Sequence, residues 1–234
     1  MGKLAVITGG TKGIGRAIVH RFAQEGFDIV ASARGGADLL ILKELIEEQY
    51  KVKVHVSPTD MSDKDEVIAF GTFIRNLSGQ VEVLVNNAGV FIPGQIIDEK
   101  DNALEQMIET NLYGAYHLTR VLIDDIISNG RGHIFNMCST ASIMPYENGG
   151  SYCISKYALL GMTKVLREEL KSHNIKVTAI LPGATYTASW EGSDLPEERF
   201  MKADDVASAV WGAYAMSDST VIEEILMRPQ LGDI

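Results

Sequence analysis

The chain has 234 residues, 46% of them hydrophobic and 22% charged, which is typical of a globular protein with one α/β domain or two small ones. Its formal net charge of −10 argues against binding to nucleic acid or to an anionic membrane surface. No segment approaches about 18 consecutive apolar residues, and the chain enters an apolar run at Leu4 without the basic region of a secretory signal, so we expect a cytoplasmic protein.

The histidines and cysteines do not form a metal-binding pattern. The five histidines are scattered, and neither HExxH nor a paired CxxC occurs, so no catalytic metal is expected. Cys138 and Cys153 are too few for a disulfide framework and are interpreted as reduced core thiols.

Short β-branched runs alternate with longer helical patterns along the chain. The predicted strands are 4–8, 28–33, 52–56, 81–85, 133–138, 176–181 and 221–227. The predicted helices are 14–26, 38–49, 63–77, 102–128, 152–173 and 204–215. The inner strands are nearly continuous apolar runs, as expected when helices cover both faces of a sheet. The pattern therefore predicts a doubly wound parallel α/β sheet of about seven strands in a single domain, 1–234.

Two of the predicted helices are apolar on more than one face. These are 102–128, through its middle, and 152–173. One face of each helix covers the sheet, and the other also needs burial. We therefore predict a homodimer or homotetramer that packs through these two helices.

A glycine-rich turn separates the first strand from the first helix. Glycines at Gly9, Gly13 and Gly15 permit a tight turn and a close approach of the backbone to a pyrophosphate at the positive end of the helix. The whole turn reads Thr8-Gly9-Gly10-Thr11-Lys12-Gly13-Ile14-Gly15. Its position between strand and helix predicts a dinucleotide site rather than ordinary turn glycines.

The end of the second strand selects between the two nicotinamide cofactors. An acidic residue there would bind ribose hydroxyls, whereas an arginine accommodates a 2′-phosphate. This strand ends in Arg34 with no carboxylate, and Lys12 can reach the same phosphate as a second charged donor. The sequence therefore predicts NADP(H).

Tyr152 and Lys156 lie one helical turn apart, so the ammonium is expected beside the phenol. A nearby cation favours the phenolate, and we expect it to lower the pKa of Tyr152 toward the working range. Such a phenol can exchange a proton with a carbonyl oxygen. Ser139, thirteen residues upstream, is expected to hydrogen-bond that same oxygen.

Together these motifs resemble the short-chain dehydrogenase/reductase family from about Lys3 to Thr187, and the resemblance implies a Rossmann-like fold. The pieces that follow the glycine turn are Asp60, Asn86-Asn87-Ala88-Gly89, Asn111, Ser139, Tyr152 with Lys156, and Pro182-Gly183. By resemblance, Asp60 and the backbone of Met61 contact the adenine, and Asn87, followed by Ala88 and Gly89, borders the cofactor ribose.

The resemblance also implies roles for the residues near the nicotinamide. Lys156 would hold the nicotinamide ribose, Asn111 would hold a proton-relay water, and Thr187 would contact the carboxamide. The segment that begins with Pro182 and Gly183 would pass the nicotinamide. Thr185 departs from the usual branched apolar residue of the family, so the pocket wall is expected to be more polar here.

Three loops are expected around the substrate, at 91–95, 140–149 and about 184–203. Their larger apolar residues are Phe91, Ile92, Met144, Tyr146, Trp190 and Phe200. Such walls suit an apolar or aromatic carbonyl compound. A carbonyl reductase is therefore the main hypothesis. The alternatives are a 3-oxoacyl-[acyl-carrier-protein] reductase, with Arg131, Arg167 and Lys171 as the basic dock, and a nicotinamide-binding redox sensor without turnover.

Overall fold

A computed structural model describes residues 2–187 and 194–234. One parallel sheet of seven strands forms its centre, in the order β3-β2-β1-β4-β5-β6-β7. The strands are β1 (Lys3–Thr8), β2 (Asp28–Ala33), β3 (Val54–Pro58), β4 (Gln80–Asn86), β5 (Gly132–Met137), β6 (Ile175–Pro182) and β7 (Glu224–Met227). The helices are α1 (Gly13–Gln24), α2 (Gly36–Tyr50), α3 (Lys64–Arg75), α4 (Ala103–Ile108), α5 (Gly114–Ser128), α6 (Gly150–Leu170) and α7 (Ala203–Tyr214).

The strand order creates a crevice between β1 and β4. From β1 the chain proceeds outward through β2 and β3, then crosses back to β4 and proceeds the other way. At such a reversal, the loops after neighbouring strands lead to opposite faces of the sheet and leave a cleft at the carboxyl edge. The predicted phosphate turn follows β1, and Asn87 follows β4, so both flank this cleft.

Helices cover both faces of the sheet, as the continuous apolar strands predicted. On one face, the rings of Phe22, Phe27, Trp211 and Tyr214 pack together with centroids 5.2 to 6.3 Å apart; Trp211 and Tyr214 are tilted to each other and the other pairs stand edge to face. On the other face, α3 and α5 bury Phe70, Leu118 and other apolar side chains against β1 and β4. Asp63 caps α3 by accepting from the N–H groups of Asp65 and Glu66.

The structure corrects three predicted boundaries. The helix predicted at 102–128 is two α-helices joined by a π-helical turn, Glu109–Tyr113, whose wider turn places Asn111 toward the interior. The third strand begins at Val54 rather than at residue 52. The last strand begins at Glu224 rather than at residue 221, although Ile222 and Glu223 already accept hydrogen bonds from Thr178 and Ala179 of β6.

Among the described residues, none of the helices combines the length and the apolar character needed to cross a membrane.

Candidate active site

The glycine turn is locked to the end of β4 by one threonine and one asparagine. The Thr8 hydroxyl, which is buried, accepts the N–H groups of Asn87 and Ala88, each at 3.0 Å. The Asn87 amide donates to the carbonyl of Thr8 at 2.9 Å and to that of Gly9 at 3.2 Å. These bonds hold the two strand ends together at the floor of the cleft.

Gly15 allows the start of α1 to pack closely against Gly9 and Asn87. A Cβ atom there would lie 2.2 Å from the Gly9 carbonyl oxygen and 2.4 Å from the Asn87 amide nitrogen, so any side chain would push the turn off the helix. Gly9 and Gly13 have φ values of +67° and +51°, which other residues adopt at a cost. The turn is therefore a tight backbone cradle at the start of α1, and its binding of a pyrophosphate stays a prediction.

The other residues of the turn have separate positions. Ile14 packs against the core, Thr11 is half-buried, and Lys12 is exposed as the N-cap of α1. The first turn of α1 contains no acidic side chain, so its positive end is not neutralised from within the helix. Thr187 lies against this turn, since a Cβ atom on Gly13 would lie 3.0 Å from its Cγ2.

Charged side chains surround the end of β2. Arg34 is exposed there, and Lys12 pairs with Asp38 of α2 at 3.9 Å. Asp38 was not among the predicted site residues, because it follows the end of β2 at Ala33 by five positions and comes near only through the first turn of α2. Hydrogen bonds from Ser62 lower the pKa of the Asp60 carboxyl, and the nearby Arg34 lowers it further by a smaller amount.

The Asp60–Met61 turn lies against the start of α5. Met61 is buried, and a Cβ atom on Gly114 would lie 2.5 Å from its carbonyl oxygen. The turn after β3 is thus fixed between sheet and helix beside Arg34, at the place where the adenine end of the cofactor is expected.

Lys156 is a buried cation at the centre of the site. Its Nζ donates to the main-chain carbonyl of Met137 at 2.8 Å and lies 5.7 Å from the centroid of the Tyr152 ring. Gly89 borders it, since a Cβ atom there would lie 3.5 Å from Nζ. Burial lowers the pKa of Lys156 to about 8, so part of its charge is lost just above neutrality.

Tyr152 and Ser139 meet as predicted, but the pKa of the Tyr152 phenol is raised instead of lowered. Burial raises the pKa of Tyr152 to about 12, and the hydrogen bond with the Ser139 side chain lowers it only partly. The predicted decrease was wrong because desolvation of the phenolate is the largest effect on this pKa. Ser139 itself is fixed, since its Oγ accepts the Ala141 N–H at 3.1 Å.

Asn111 is fully engaged by its neighbours. Its Oδ1 accepts the Val90 N–H at 2.7 Å, while its Nδ2 donates to the Val90 carbonyl at 3.0 Å and to Ser155 Oγ at 2.9 Å. These bonds tie the π turn to the loop after β4 and to α6. The role that the resemblance implies for Asn111, holding a relay water, stays a prediction.

The segment after β6 continues along the cleft. The Gly183 N–H donates to the Met227 carbonyl at 2.8 Å, and Pro182 ends the strand beside it. Thr185 is buried, and its hydroxyl donates to the Gly183 carbonyl at 3.0 Å. Because this hydroxyl is used within the chain, Thr185 gives the pocket wall less polarity than its residue type suggested.

An aromatic surface lies beside the phenol. The Phe91 ring stands edge to face with Tyr152 at 5.0 Å, and Tyr146 lies 6.5 Å from Phe91. Phe91, Tyr146 and Met144 are 41%, 45% and 39% exposed, so they are available to a bound molecule. Ile92 is half-buried in the same loop.

Two other predicted wall residues stand apart from this surface. Phe200 is buried, with its ring 5.7 Å from that of Tyr186, so it packs within the chain instead of facing the cleft. Trp190 lies outside the described residues.

Cys138 and Cys153 are free and buried, as predicted. Burial raises the pKa of both thiols, that of Cys138 to about 11. No group of three or more His, Cys, Asp or Glu side chains able to hold a metal ion occurs in the part of the chain that the structure describes.

Three contributors to the site escaped the sequence analysis. Thr8 was only part of a motif, although a threonine that ends a strand before Gly9 is a recognisable signal. Ser155, which accepts from Asn111, sits among apolar residues of α6 and has no distinctive pattern. The Met137 carbonyl that holds Lys156 is main chain, so no residue type could reveal it.

Comparison with known proteins gives consistent matches over nearly the whole chain. Residues 3–197 match the family model described as short chain dehydrogenase. A sepiapterin reductase of Chlorobaculum tepidum is 34% identical over 245 aligned residues, which cover 100% of this chain and 99% of that protein.

Two solved structures have the same fold. An alcohol dehydrogenase from the archaeon Thermococcus sibiricus, complexed with 5-hydroxy-NADP, superimposes with a TM-score of 0.91 at 26% identity, covering 98% of this chain and 97% of its own. A metagenomic short-chain oxidoreductase in complex with NADP gives a TM-score of 0.85 at 31% identity, with 97% of each chain covered.

Proposed function

Because this chain belongs to the short-chain dehydrogenase/reductase family, we propose that it is an NADP(H)-dependent reductase of ketones or aldehydes. The observation that carries this proposal is the convergence of the half-buried Tyr152 with the buried Ser139 and Lys156 beside the glycine turn. A nicotinamide, when bound, supplies the hydride that adds to the carbonyl carbon.

Tyr152, Ser139 and Lys156 divide the work on the carbonyl oxygen. Tyr152 holds a proton at neutral pH, because the pKa of its phenol is about 12, and gives it to the oxygen as negative charge develops there. Ser139 donates a hydrogen bond to that oxygen. The Lys156 ammonium stabilises the phenolate that remains after proton transfer, and its own pKa of about 8 lets it pass a proton onward.

The glycine turn and the charged side chains near β2 fit NADP(H). The turn presents its backbone at the start of α1, where position 15 has no room for a side chain. Arg34 and Lys12 are exposed cations at the ribose end, where a 2′-phosphate accepts charge-assisted hydrogen bonds. The NADP ligands of the two similar structures support this choice. Asp38 holds Lys12 at 3.9 Å and would have to release it.

The aromatic surface supports an apolar or aromatic carbonyl compound as substrate. Phe91 and Tyr146 offer flat, partly exposed rings next to the reacting phenol. A planar substrate can stack on them and place its carbonyl at Tyr152. The name of the Chlorobaculum tepidum relative, sepiapterin reductase, supports a reductase that acts on a small molecule.

The carrier-protein reductase is less well supported by the charges of its supposed dock. Each of the three basic residues already has an acidic partner: Arg131 pairs with Glu82, Arg167 with Glu223 and Lys171 with Glu168. An acidic carrier protein would have to displace these carboxylates. The redox-sensor alternative would not need Ser139, Tyr152 and Lys156 together.

We also propose self-association through α4, α5 and α6. Large apolar side chains on α5, on α6 and on the π turn between α4 and α5 are 41% to 56% exposed: Tyr113, Tyr116, Ile154, Tyr157 and Val165. A second copy of the chain would cover them. Light scattering after gel filtration should give twice or four times the 25.6 kDa chain mass.

The test of the proposed activity is a steady-state assay of NADPH and NADH oxidation. The panel contains aromatic and aliphatic dicarbonyls, a pterin diketone and a β-ketoacyl thioester. Turnover that favours NADPH with aromatic ketones is expected. Preference for the thioester would replace the proposal by the carrier-protein reductase, and tight NADPH binding without any turnover would favour the sensor.

A further inference from the structure

A short segment before α4 grips the start of the helix that carries Tyr152. The Gly94 N–H donates to the Asn148 carbonyl and the Gly150 N–H donates to the Gly94 carbonyl, each at 3.0 Å. Five residues after Gly94, the half-buried Glu99 accepts the Ser151 N–H at 3.2 Å. The Ser151 hydroxyl donates to the other carboxylate oxygen of Glu99.

This contact has no room for larger side chains. A Cβ atom on Gly150 would lie 2.7 Å from the Gly94 carbonyl oxygen and 2.9 Å from Glu99 Oε2. A Cβ atom on Gly94 would lie 2.7 Å from the Cβ of Glu99. Ser151 is 1% exposed, so its hydroxyl is removed from water and depends on the carboxylate.

Glu99 supplies what the helix itself lacks. The N-cap residue of α6 is Gly149, which has no side chain to accept the first N–H groups of the helix. The Glu99 carboxylate takes that role from another part of the chain and places a negative charge at the positive helix end. None of the predicted site residues belongs to this contact.

We propose that Glu99 is a positioning residue for Tyr152: through Ser151 it fixes the first turn of α6 and thereby the place of the phenol beside Ser139. Tyr152 follows Ser151 directly and lies in that first turn. A long, rigid side chain converts a small rotation of its backbone into a larger displacement of its oxygen. This inference rests on the proposed function, in which that oxygen must meet the substrate carbonyl.

The experiment compares Glu99→Ala, Glu99→Gln and Ser151→Ala with Asp98→Asn. Asp98 is an exposed neighbouring carboxylate whose side chain makes no hydrogen bond or ion pair with the described residues, so it controls for loss of charge. The readouts are kcat, the Kd for NADPH by fluorescence, and amide hydrogen exchange of the peptide 148–156. Urea denaturation confirms that each variant is folded.

For Glu99→Ala we expect kcat to fall about 10- to 100-fold, as for a catalytic group displaced by about an ångström. The Kd for NADPH should change less than about twofold, because the contact lies outside the cofactor cradle. Glu99→Gln should recover part of kcat, since one acceptor oxygen remains. The double variant Glu99→Ala/Ser151→Ala should be no slower than Glu99→Ala, because both changes break one contact.

Hydrogen exchange separates this inference from the proposed function. Faster exchange in 148–156 for Glu99→Ala, with Asp98→Asn unchanged, would support the contact even if the wild type reduced none of the carbonyl compounds. Unchanged exchange would overturn it. An active wild type whose kcat survives Glu99→Ala, or a loss of kcat matched by an equal loss in NADPH affinity, would also overturn the positioning role.

Discussion

The two edges of the same parallel sheet both bury polar side chains, but they balance charge in different ways. At the amino edge, Glu82 is 8% exposed and is met by Lys3 at 3.2 Å, Arg131 at 3.1 Å and the Tyr214 hydroxyl at 2.7 Å. At the carboxyl edge, Lys156 is 4% exposed and no described carboxylate pairs with it.

A histidine at the amino edge has an equally fixed environment. The Thr178 hydroxyl donates to the Ile222 carbonyl, so it accepts from His133 Nε2, 2.7 Å away, and this assigns the proton to Nε2. The His133 ring also stacks on Phe135 at 3.9 Å. The Glu82 carboxylate and the His133 Nε2–H are thus engaged within the fold at this edge.

The difference indicates where chemistry is available. A buried ion that is fully paired is costly to disturb and serves structure. A buried cation held by one carbonyl can stabilise a new negative charge when one forms beside it. Variants at the carboxyl edge should therefore change turnover with little loss of stability, and variants at the amino edge should do the reverse.

The largest expected effect is that of Tyr152→Phe. Removal of the phenolic proton should reduce kcat about 10²- to 10⁴-fold while the Kd for NADPH is nearly unchanged. Steady-state kinetics and a fluorescence titration measure the two quantities. The matched control is Tyr50→Phe at the end of α2, which removes a hydroxyl bonded to His20 of α1 and should keep full activity. Full activity of Tyr152→Phe would contradict the assigned proton donor.

Arg34→Ala should weaken the binding of NADPH about 10- to 150-fold, which corresponds to the loss of one hydrogen bond to a charged group. The KM for NADH should change little, because NADH has no 2′-phosphate. Asp38→Asn should act in the opposite direction and modestly increase the affinity for NADPH, since it frees Lys12. Equal changes for both cofactors in Arg34→Ala would show that Arg34 does not read the phosphate.

The pH dependence of kcat/KM for reduction should report on Lys156. Below its pKa of about 8 the ammonium is charged and stabilises the phenolate, and above it the charge is lost. The rate should be flat from about pH 6 to 7 and fall up to tenfold per pH unit above about pH 8. Tyr152 stays protonated across this range because its pKa is about 12. A flat profile to pH 10 would contradict this role.

The amino edge predicts a smaller effect, on stability alone. Burial lowers the pKa of His133 from 6.5 to about 3, so between these values the unfolded chain binds the proton and the folded protein does not. Stability is therefore lost as pH falls below about 6.5, at up to about 1.4 kcal/mol per unit.

His133→Gln tests this pH dependence. The variant should be less stable than the wild type at pH 7 by about 1 kcal/mol, through lost packing and hydrogen bonding. Between pH 7 and pH 5, the free energy of unfolding of the variant should fall by about 2 kcal/mol less than that of the wild type. Urea denaturation at both pH values gives these differences. Activity at pH 7 should be preserved. A large loss of kcat would contradict the claim that residues at the amino edge affect stability alone.

The layered fold could be predicted from the sequence, because strand periodicity, glycine spacing and helix patterns are local features of the chain. It also identified Ser139, Tyr152 and Lys156 as partners, since their spacing places two of them on one helix face.

Features that depend on burial and on main-chain groups could not be predicted from the sequence, because they arise from contacts between distant parts of the chain. The pKa of Tyr152 rises because neighbouring elements remove water from the phenol, which no spacing of charges in the sequence expresses. The π turn at Asn111 is stabilised by hydrogen bonds to Val90 and Ser155, which lie far away along the chain. Likewise, Glu99 reaches Ser151 across 52 positions, and only the folded backbone brings them together.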